Sequence, residues 1–336
     1  MMGNFVSQNL HYRGYSVSIA DKKHGITYVN KGIQHIHCDF ENYDHLPDTH
    51  YDLVINCVPS KFGFKMTQTM VELGMSVVDL SFSLEDPFKL DRLAKKNNCL
   101  VVPDAGLAPG LTNLFTGREL AKSGQLERVS LNVGGVSTSP FEPYGYAVTW
   151  SVEDLQEEYL RPARAISGHE IFTGSPFNNI TDIDVRGVSM VRFLSDGLRT
   201  LLRYKDHIDT MDENTIRWNY KHMWAAQKLI EDGSFVEEIK AKCSNIPDTV
   251  VFKAEFYKDY NKSPKVVTMI DYSRGSESAM SRTTALTCAT VADLILSGIY
   301  NKIKGVRPLE EIGKDSLSFD FILDSLGHYG IHFEYE

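Results

Sequence analysis

Three short runs most constrain the fold of this chain: YDLVINCVP at 51 to 59, SVVDLSF at 76 to 82 and CLVVPDAG at 99 to 106. The first carries a continuous apolar run instead of an alternating one, the pattern of a strand buried on both faces of a parallel sheet, and the other two read as the strands that follow it. Between them the spacing predicts helices over 62–73, stopped by Gly74, and over FKLDRLAKKNN at 88 to 98. Upstream, Phe5, Val6 and Leu10 share a helical face from Gly3 to about Tyr12, with Arg13-Gly14 as a stop. Tyr15, Val17 and Ile19 then alternate with serines up to Ala20-Asp21, and QHIHCDF at 34 to 40 is the next strand. Such alternation of strand and helix predicts an α/β, doubly wound parallel sheet.

Beyond Gly110 the pattern changes. LERVSLNVGGVS at 126 to 137 reads as one long strand, and TVVFKAEFYKDY with KVVTMIDYS reads as an antiparallel hairpin. Helices are expected over Ser151 to Tyr159, Arg217 to Glu231 and Arg282 to Leu296, the last ended by Gly298. The expected organisation is a Rossmann-type dinucleotide-binding domain over 1–118, completed by helices of 279–336. Residues 119–278 would form a second, α+β domain on a mixed, largely antiparallel sheet.

Composition limits the function. With 42% apolar and 24% charged residues in 336, the chain is expected to be a soluble globular protein of two domains. It has no apolar run near eighteen residues and no secretory leader pattern, so no membrane role is expected and the cytoplasm is the expected location. Cys38, Cys57, Cys99, Cys243 and Cys288 are scattered without a C-x-x-C pair, which predicts reduced thiols and no metal site. A net charge of −9 argues against nucleic acid as the main partner.

The opening MMGNFVSQNLHYRGYSVSIAD resembles the inside of a nucleotide-binding unit. In such units a strand leads into G-x-G-x-x-G and a helix, and an acidic residue roughly 20 positions on holds the ribose. Gly3 begins a helix and Asp21, eighteen positions later, ends a strand. They fit the third glycine and the ribose ligand; a helix start and a turn are the plain alternative. On the first reading the initial strand and two glycines precede Met1, which becomes an internal methionine of a longer chain. The sheet would then lack its central first strand, leaving its neighbours with unpaired backbone groups. Asp21 favours NAD over NADP, although Lys22 and Lys23 would tolerate a 2′-phosphate, so NADP stays open.

Five further stretches carry a family resemblance. VVPDAGLAPGLTNLFTGREL at 101 to 120 resembles the strand, acidic glycine-rich loop and helix of the saccharopine dehydrogenase superfamily. GYAVTWSVEDLQEEYLRPAR at 145 to 164, and FLSDGLRTLL at 193 to 202 with ENTIRWNYKH at 213 to 222, are similar to its lysine 6-dehydrogenase (L-lysine dehydrogenase) branch. MSRTTALTCATVADLILSG near the C-terminus extends the likeness to nearly the whole chain. The resemblance implies a nicotinamide-dependent oxidoreductase acting at a carbon bearing nitrogen, with a small amino-acid substrate and homodimer contacts in the second domain. Two departures stand out. Gly106-Leu107-Ala108-Pro109-Gly110 replaces G-L-D-P-G of the saccharopine-forming enzymes, and Trp218-Asn219-Tyr220-Lys221-His222 replaces Y-P-G-H with one extra residue.

Oxidising a lysine ε-amine requires a neutral amine, a held α-carboxylate and a nicotinamide. Arg217, where the family motif carries its arginine, is the expected carboxylate fork, with Arg199 second. Asp104, Glu153 and His222 are candidates for proton transfer. Against these stand plain readings: surface helix arginines, a loop cap at Asp104, first-turn helix charge at Glu153 and a solvated histidine. Tyr146 and Trp150 would line the aliphatic chain or belong to the core. Asn56, Pro59, Asp79 and Ser81 follow strand ends and are expected at the cofactor or substrate edge, or as turn caps. Gly106, Pro109 and Gly110 are expected beside the cofactor. Three functions stay open: lysine 6-dehydrogenase; a saccharopine or carboxynorspermidine type dehydrogenase, against which Ala108 argues; and a non-catalytic nucleotide-binding relative.

Overall fold

The computed structural model describes residues 2–22, 32–40, 51–300 and 302–336. Lys23 and Met1 lie outside the described residues. Helix α1 (Met2–Tyr12) is followed by strands β1 (Ser18–Asp21), β2 (Gln34–His37) and β3 (Val54–Asn56), then α2 (Ser60–Glu72), β4 (Val77–Asp79), α3 (Asp91–Lys96) and β5 (Leu100–Val102). Next come α4 (Leu111–Ser123), β6 (Leu126–Ser137), α5 (Val152–Leu160), β7 (Ala163–Ser167), β8 (Glu170–Gly174), β9 (Thr181–Val185), β10 (Val188–Leu194) and β11 (Ile208–Arg217). The chain continues through α6 (Tyr220–Glu231), α7 (Phe235–Cys243), β12 (Asp248–Tyr257), β13 (Lys265–Tyr272) and α8 (Ala279–Leu296). It closes with β14 (Gly305–Val306), α9 (Leu309–Lys314), α10 (Ser316–His328) and β15 (Glu334–Tyr335). Two compact units result: Met1–Leu114 with Arg282–Tyr329, and Phe115–Ser281 with Gly330–Glu336.

Among the described residues of the first unit the strands are all parallel, in two sheets: β1-β2, and four strands in the order β14-β5-β4-β3. The strand that would join β1 to β3 is not among the described residues, so each of the two is an edge. Met70, Val71, Val77 and Val101 form the core between α2, α3 and the larger sheet. Helix α1 is fastened to α8 by Arg13, which donates to Asn9 Oδ1 at 2.8 Å, Asp293 Oδ2 at 2.5 Å and Thr290 Oγ1 at 3.0 Å. Tyr15 Oη adds a 2.6 Å bond to Asp293.

The second unit is built on a nine-stranded sheet in the order β15-β13-β12-β6-β11-β10-β9, with the β7-β8 hairpin joined to β11 at Met211 and Ile166. Its pairings are antiparallel except β6 with β11, so the sheet is mixed and largely antiparallel. Helices α5, α6 and α7 pack Leu155, Tyr159, Met223 and Phe235 against Phe193 of β10. One expectation needs correcting: Arg217 does not start a helix but ends strand β11, and α6 begins three residues later behind the N-cap Asn219. The Asn219 side chain accepts from the His222 amide and fixes that start. No described helix is long and apolar enough to cross a membrane, and no group of His, Cys, Asp and Glu among the described residues is placed to hold a metal.

Candidate active site

In the first unit the carboxyl ends of the parallel strands carry Asn56, Asp79 and, two residues past β5, Asp104. Asn56 Nδ2 donates to the Gly63 carbonyl and to Thr67 Oγ1, each at 3.0 Å. Thr67 Oγ1 donates to Asp79 Oδ2 at 2.7 Å, and the Ser81 amide donates to Asp79 Oδ1 at 2.7 Å. The network ties α2 to the ends of β3 and β4. Ser81 and Ser83 share a 3.1 Å hydroxyl contact, and a Cβ on Gly63 would fall on top of both, so only glycine lets α2 approach. Pro59, extended, supplies the N-cap position of α2. Asp104 is buried in the left-handed region at φ 53, which an aspartate tolerates better than a branched residue.

Burial raises the Asp79 pKa and the charge of Asp104 adds to this, against bonds from Ser81 and Thr67. A carboxyl whose folded pKa is raised stabilises the fold at acid pH, and that stability is lost as pH rises through the folded pKa. Asp79→Asn is therefore expected to gain on the natural protein in thermal melts as pH goes from acid to neutral. Parallel melting curves across that range would refute this.

The 106–110 loop closes on itself. The Gly110 amide donates to Asn113 Oδ1 at 3.1 Å, Leu111 to the Gly106 carbonyl at 3.0 Å and Thr112 to the Leu107 carbonyl at 3.3 Å. Asn113 is held in turn by Glu310 Oε2 at 3.0 Å. These first amides of α4 are satisfied within the protein, which leaves that helix end poorly suited to a phosphate. The amino end of α1 differs. No described protein group accepts from the Gly3 or Asn4 amide, and a Cβ on Gly3 would stand 3.7 Å from Cys57 Cβ, placing this end beside the end of β3. Asp21, partly exposed, closes β1. Burial pushes the Cys57 thiol up to about 12, with Asp79 adding, so it is protonated and unreactive at neutral pH.

In the second unit Arg217 is only 2% exposed. Its Nε donates to Tyr159 Oη at 2.8 Å, Nη1 to the Ile216 carbonyl at 2.9 Å and Nη2 to Glu158 Oε2 at 3.2 Å. The rings of Tyr146, Tyr159 and Phe193 lie 5.4–5.6 Å from its guanidinium carbon. Burial alone would lower its pKa, but Tyr159 and Glu158 outweigh that and hold the charge. Thr215 Oγ1 also bonds Glu158. The guanidinium is thus committed to protein partners, and reaching a substrate carboxylate would require displacing them.

Next to it lies a group with the opposite character. The Tyr146 hydroxyl, the Thr149 hydroxyl and His222 Nδ1 are buried, in residues 4%, 3% and 9% exposed; among the described residues His222 Nδ1 has no hydrogen-bond partner and the two hydroxyls have none beyond each other. Gly145, in the left-handed region at φ 59, lies flat against the His222 ring, where a Cβ would overlap Nδ1. Burial lowers the His222 pKa and Lys221 lowers it further, so the imidazole is neutral at pH 7. Burial likewise raises the Tyr146 pKa, keeping its hydroxyl a donor. Orphaned buried polar atoms are costly unless a ligand or water completes them.

The other expected residues lie apart from this group or play packing roles. Glu153 is exposed and bound to Lys240 Nζ at 2.5 Å, whose hydrogen bond holds its carboxyl below the usual range. Trp150 packs beside Tyr146 against the helical core. Arg199 starts a short 3-10 turn in the left-handed region at φ 49. In the same segment Asp196 forms a two-pronged pair with Arg164 at 2.8 and 2.9 Å. Thr149 and Glu158 were not singled out by sequence reasoning; a threonine in a loop and a glutamate in an acidic helix carry no local signal.

A family model described as "Saccharopine dehydrogenase C-terminal domain" matches residues 106–331. Among solved structures, apo saccharopine dehydrogenase (L-Glu forming) from Saccharomyces cerevisiae is similar at a TM-score of 0.76 and 16% identity, over 100% of this chain and 98% of that one. This likeness shows a shared fold. An amine dehydrogenase from Mycobacterium smegmatis is matched at a TM-score of 0.46 and 10% identity, over 92% of each chain.

Proposed function

Because the chain belongs to the saccharopine dehydrogenase family, we propose that it is a nicotinamide-dependent oxidoreductase acting at a carbon that bears nitrogen, with lysine oxidised at its ε-amine as the leading reaction. The first unit fits a dinucleotide through the open amino end of α1 at Gly3 and through the Asp21 carboxylate, which suits the ribose hydroxyls of NAD. A nicotinamide bound there supplies two-electron oxidation or reduction. The observation that carries the amine assignment is the neutral His222, whose buried Nδ1 has no partner among the described residues and whose ring lies against Gly145, the neighbour of Tyr146 in the chain. An amine must lose its proton before it can be oxidised, and a neutral imidazole of lowered pKa accepts one at Nδ1. The Tyr146 and Thr149 hydroxyls orient the nitrogen by accepting or donating as its protonation changes. Arg217 acts by holding Tyr146, Tyr159 and Glu158 in place.

The test is to follow NADH formation with lysine, and separately NAD(P)H oxidation with an aldehyde or keto acid plus an amine. Turnover in the first assay is expected. His222→Gln should then lower kcat about 10²–10⁴-fold, the usual worth of a positioned base, with the fold unchanged by circular dichroism. Turnover only in the second assay would replace lysine oxidation by a saccharopine or carboxynorspermidine type reaction. Turnover in neither would leave a nucleotide-binding relative without this chemistry.

A further inference from the structure

The nine-stranded sheet is rolled, and its concave side carries a charge left over. On a flat sheet the six strand steps from β15 to β9 would span roughly 29 Å at the usual spacing. Yet Arg186, in the β9–β10 turn, donates through Nη2 to both carboxylate oxygens of Glu334 on β15 at 2.5 Å. Lys253 Nζ on β12 reaches the Asp184 carbonyl on β9 at 3.1 Å, four strands away in the order. Ile183 and Val185 of β9 pack with Val136, Ile216 and Val251. Curling toward one face brings these groups together, and that face is apolar at one end.

At its other end, strand register lines up polar side chains on the same face: Tyr257 opposite Arg128, Ser130 opposite Asp212, and Asn132 opposite Asn214. Arg192, opposite Ile216, belongs to this face too. Two of its cations have anionic partners, Lys253 with Glu255 at 3.2 Å and Arg128 with Asp212 at 3.4 Å. Arg192 has none among the described residues. Its Nε donates to Thr181 Oγ1 at 3.2 Å and its Nη1 to Ser130 Oγ at 2.9 Å and Asn132 Oδ1 at 2.7 Å, all uncharged oxygens. Ser130 passes its own proton to Asp212 Oδ1 at 2.8 Å, so the two guanidinium groups flank one carboxylate that Ser130, Asn214 and Arg128 already occupy. Arg128 Nε is buried with no acceptor among the described residues.

A half-buried cation with neutral partners, next to an orphaned guanidinium N–H, calls for an anion. We propose that the polar end of this concave face binds a small oxyanion of single negative charge, a carboxylate or a phosphate monoanion, through Arg192 and Arg128 with the Tyr257 hydroxyl beside them. This is separate from the proposed amine chemistry and stands or falls without it.

Calorimetric titration with acetate and with inorganic phosphate near pH 6, against sodium chloride at matched ionic strength, tests the proposal. Saturable one-to-one binding of at least one probe is expected, and the tighter probe identifies the carboxylate or phosphate source. Arg192→Gln should weaken it about 10-fold or more, as loss of a charge-assisted pair implies. Should that variant fail to fold, Arg128→Gln and Tyr257→Phe serve in its place, each expected to weaken binding. Heats no different from chloride, or affinities unchanged in the folded variants, would overturn the site.

Discussion

Replacing Arg217 by alanine is expected to destabilise the second unit by about 3–5 kcal/mol, the cost of breaking a buried ion pair and leaving its partner behind. Glu158 would lose its cation, Tyr159 its donor, and three aromatic rings the charge they surround. For a unit of this size the melting temperature should fall by roughly 6–20 °C. Arg217→Lys should recover only part, because an ammonium lacks the planar fork that serves Tyr159, Glu158 and Ile216 together. The alternative expected from the sequence, a substrate-carboxylate anchor, makes a different prediction. A variant that melts like the natural protein but shows a raised KM for the amino acid would favour the anchor and remove the hub.

Gly110→Ala should be comparably severe. The residue sits at φ 143, outside the range of L side chains, and a Cβ there would overlap the Gly106 carbonyl carbon and oxygen. Backbone cannot rotate away as a side-chain end can, so strain and overlap add to about 3–5 kcal/mol. Gly74→Ala is the control: its φ of 82 is also left-handed, but nothing lies within 4 Å of the added carbon. That variant should lose only about 1–2 kcal/mol, the left-handed penalty alone. Denaturant titration of both measures the difference; equal losses would mean that the closed 106–110 loop yields to a methyl group.

The elements legible in the sequence were those whose pattern is local. Strand β6 fills its expected range, β12 and β13 form the expected antiparallel hairpin, and α2, α5 and α8 lie within a few residues of their expected positions. Strands β3, β4 and β5 are three residues each, shorter than the runs that announced them: β3 and β4 end on Asn56 and Asp79 themselves, and β5 ends two residues before Asp104. Strands β7 to β10 left little trace: β8 is exposed along most of its length, so no apolar alternation marks it. Arg217 was misplaced because W-N-Y-K-H continues a polar, helix-compatible pattern across a strand end, and only the Asn219 cap marks the true boundary.

What the sequence determined by itself is the kind of element at each place and the parallel and antiparallel halves of the chain, since both follow from backbone periodicity within a few residues. The tertiary structure decided which polar groups are satisfied. Asp104 and Arg217 look equally available in the sequence, yet partners distant along the chain enclose Arg217, while His222 Nδ1 is buried with none among the described residues. Desolvation and hydrogen-bond satisfaction depend on neighbours supplied by packing, and no local pattern records them.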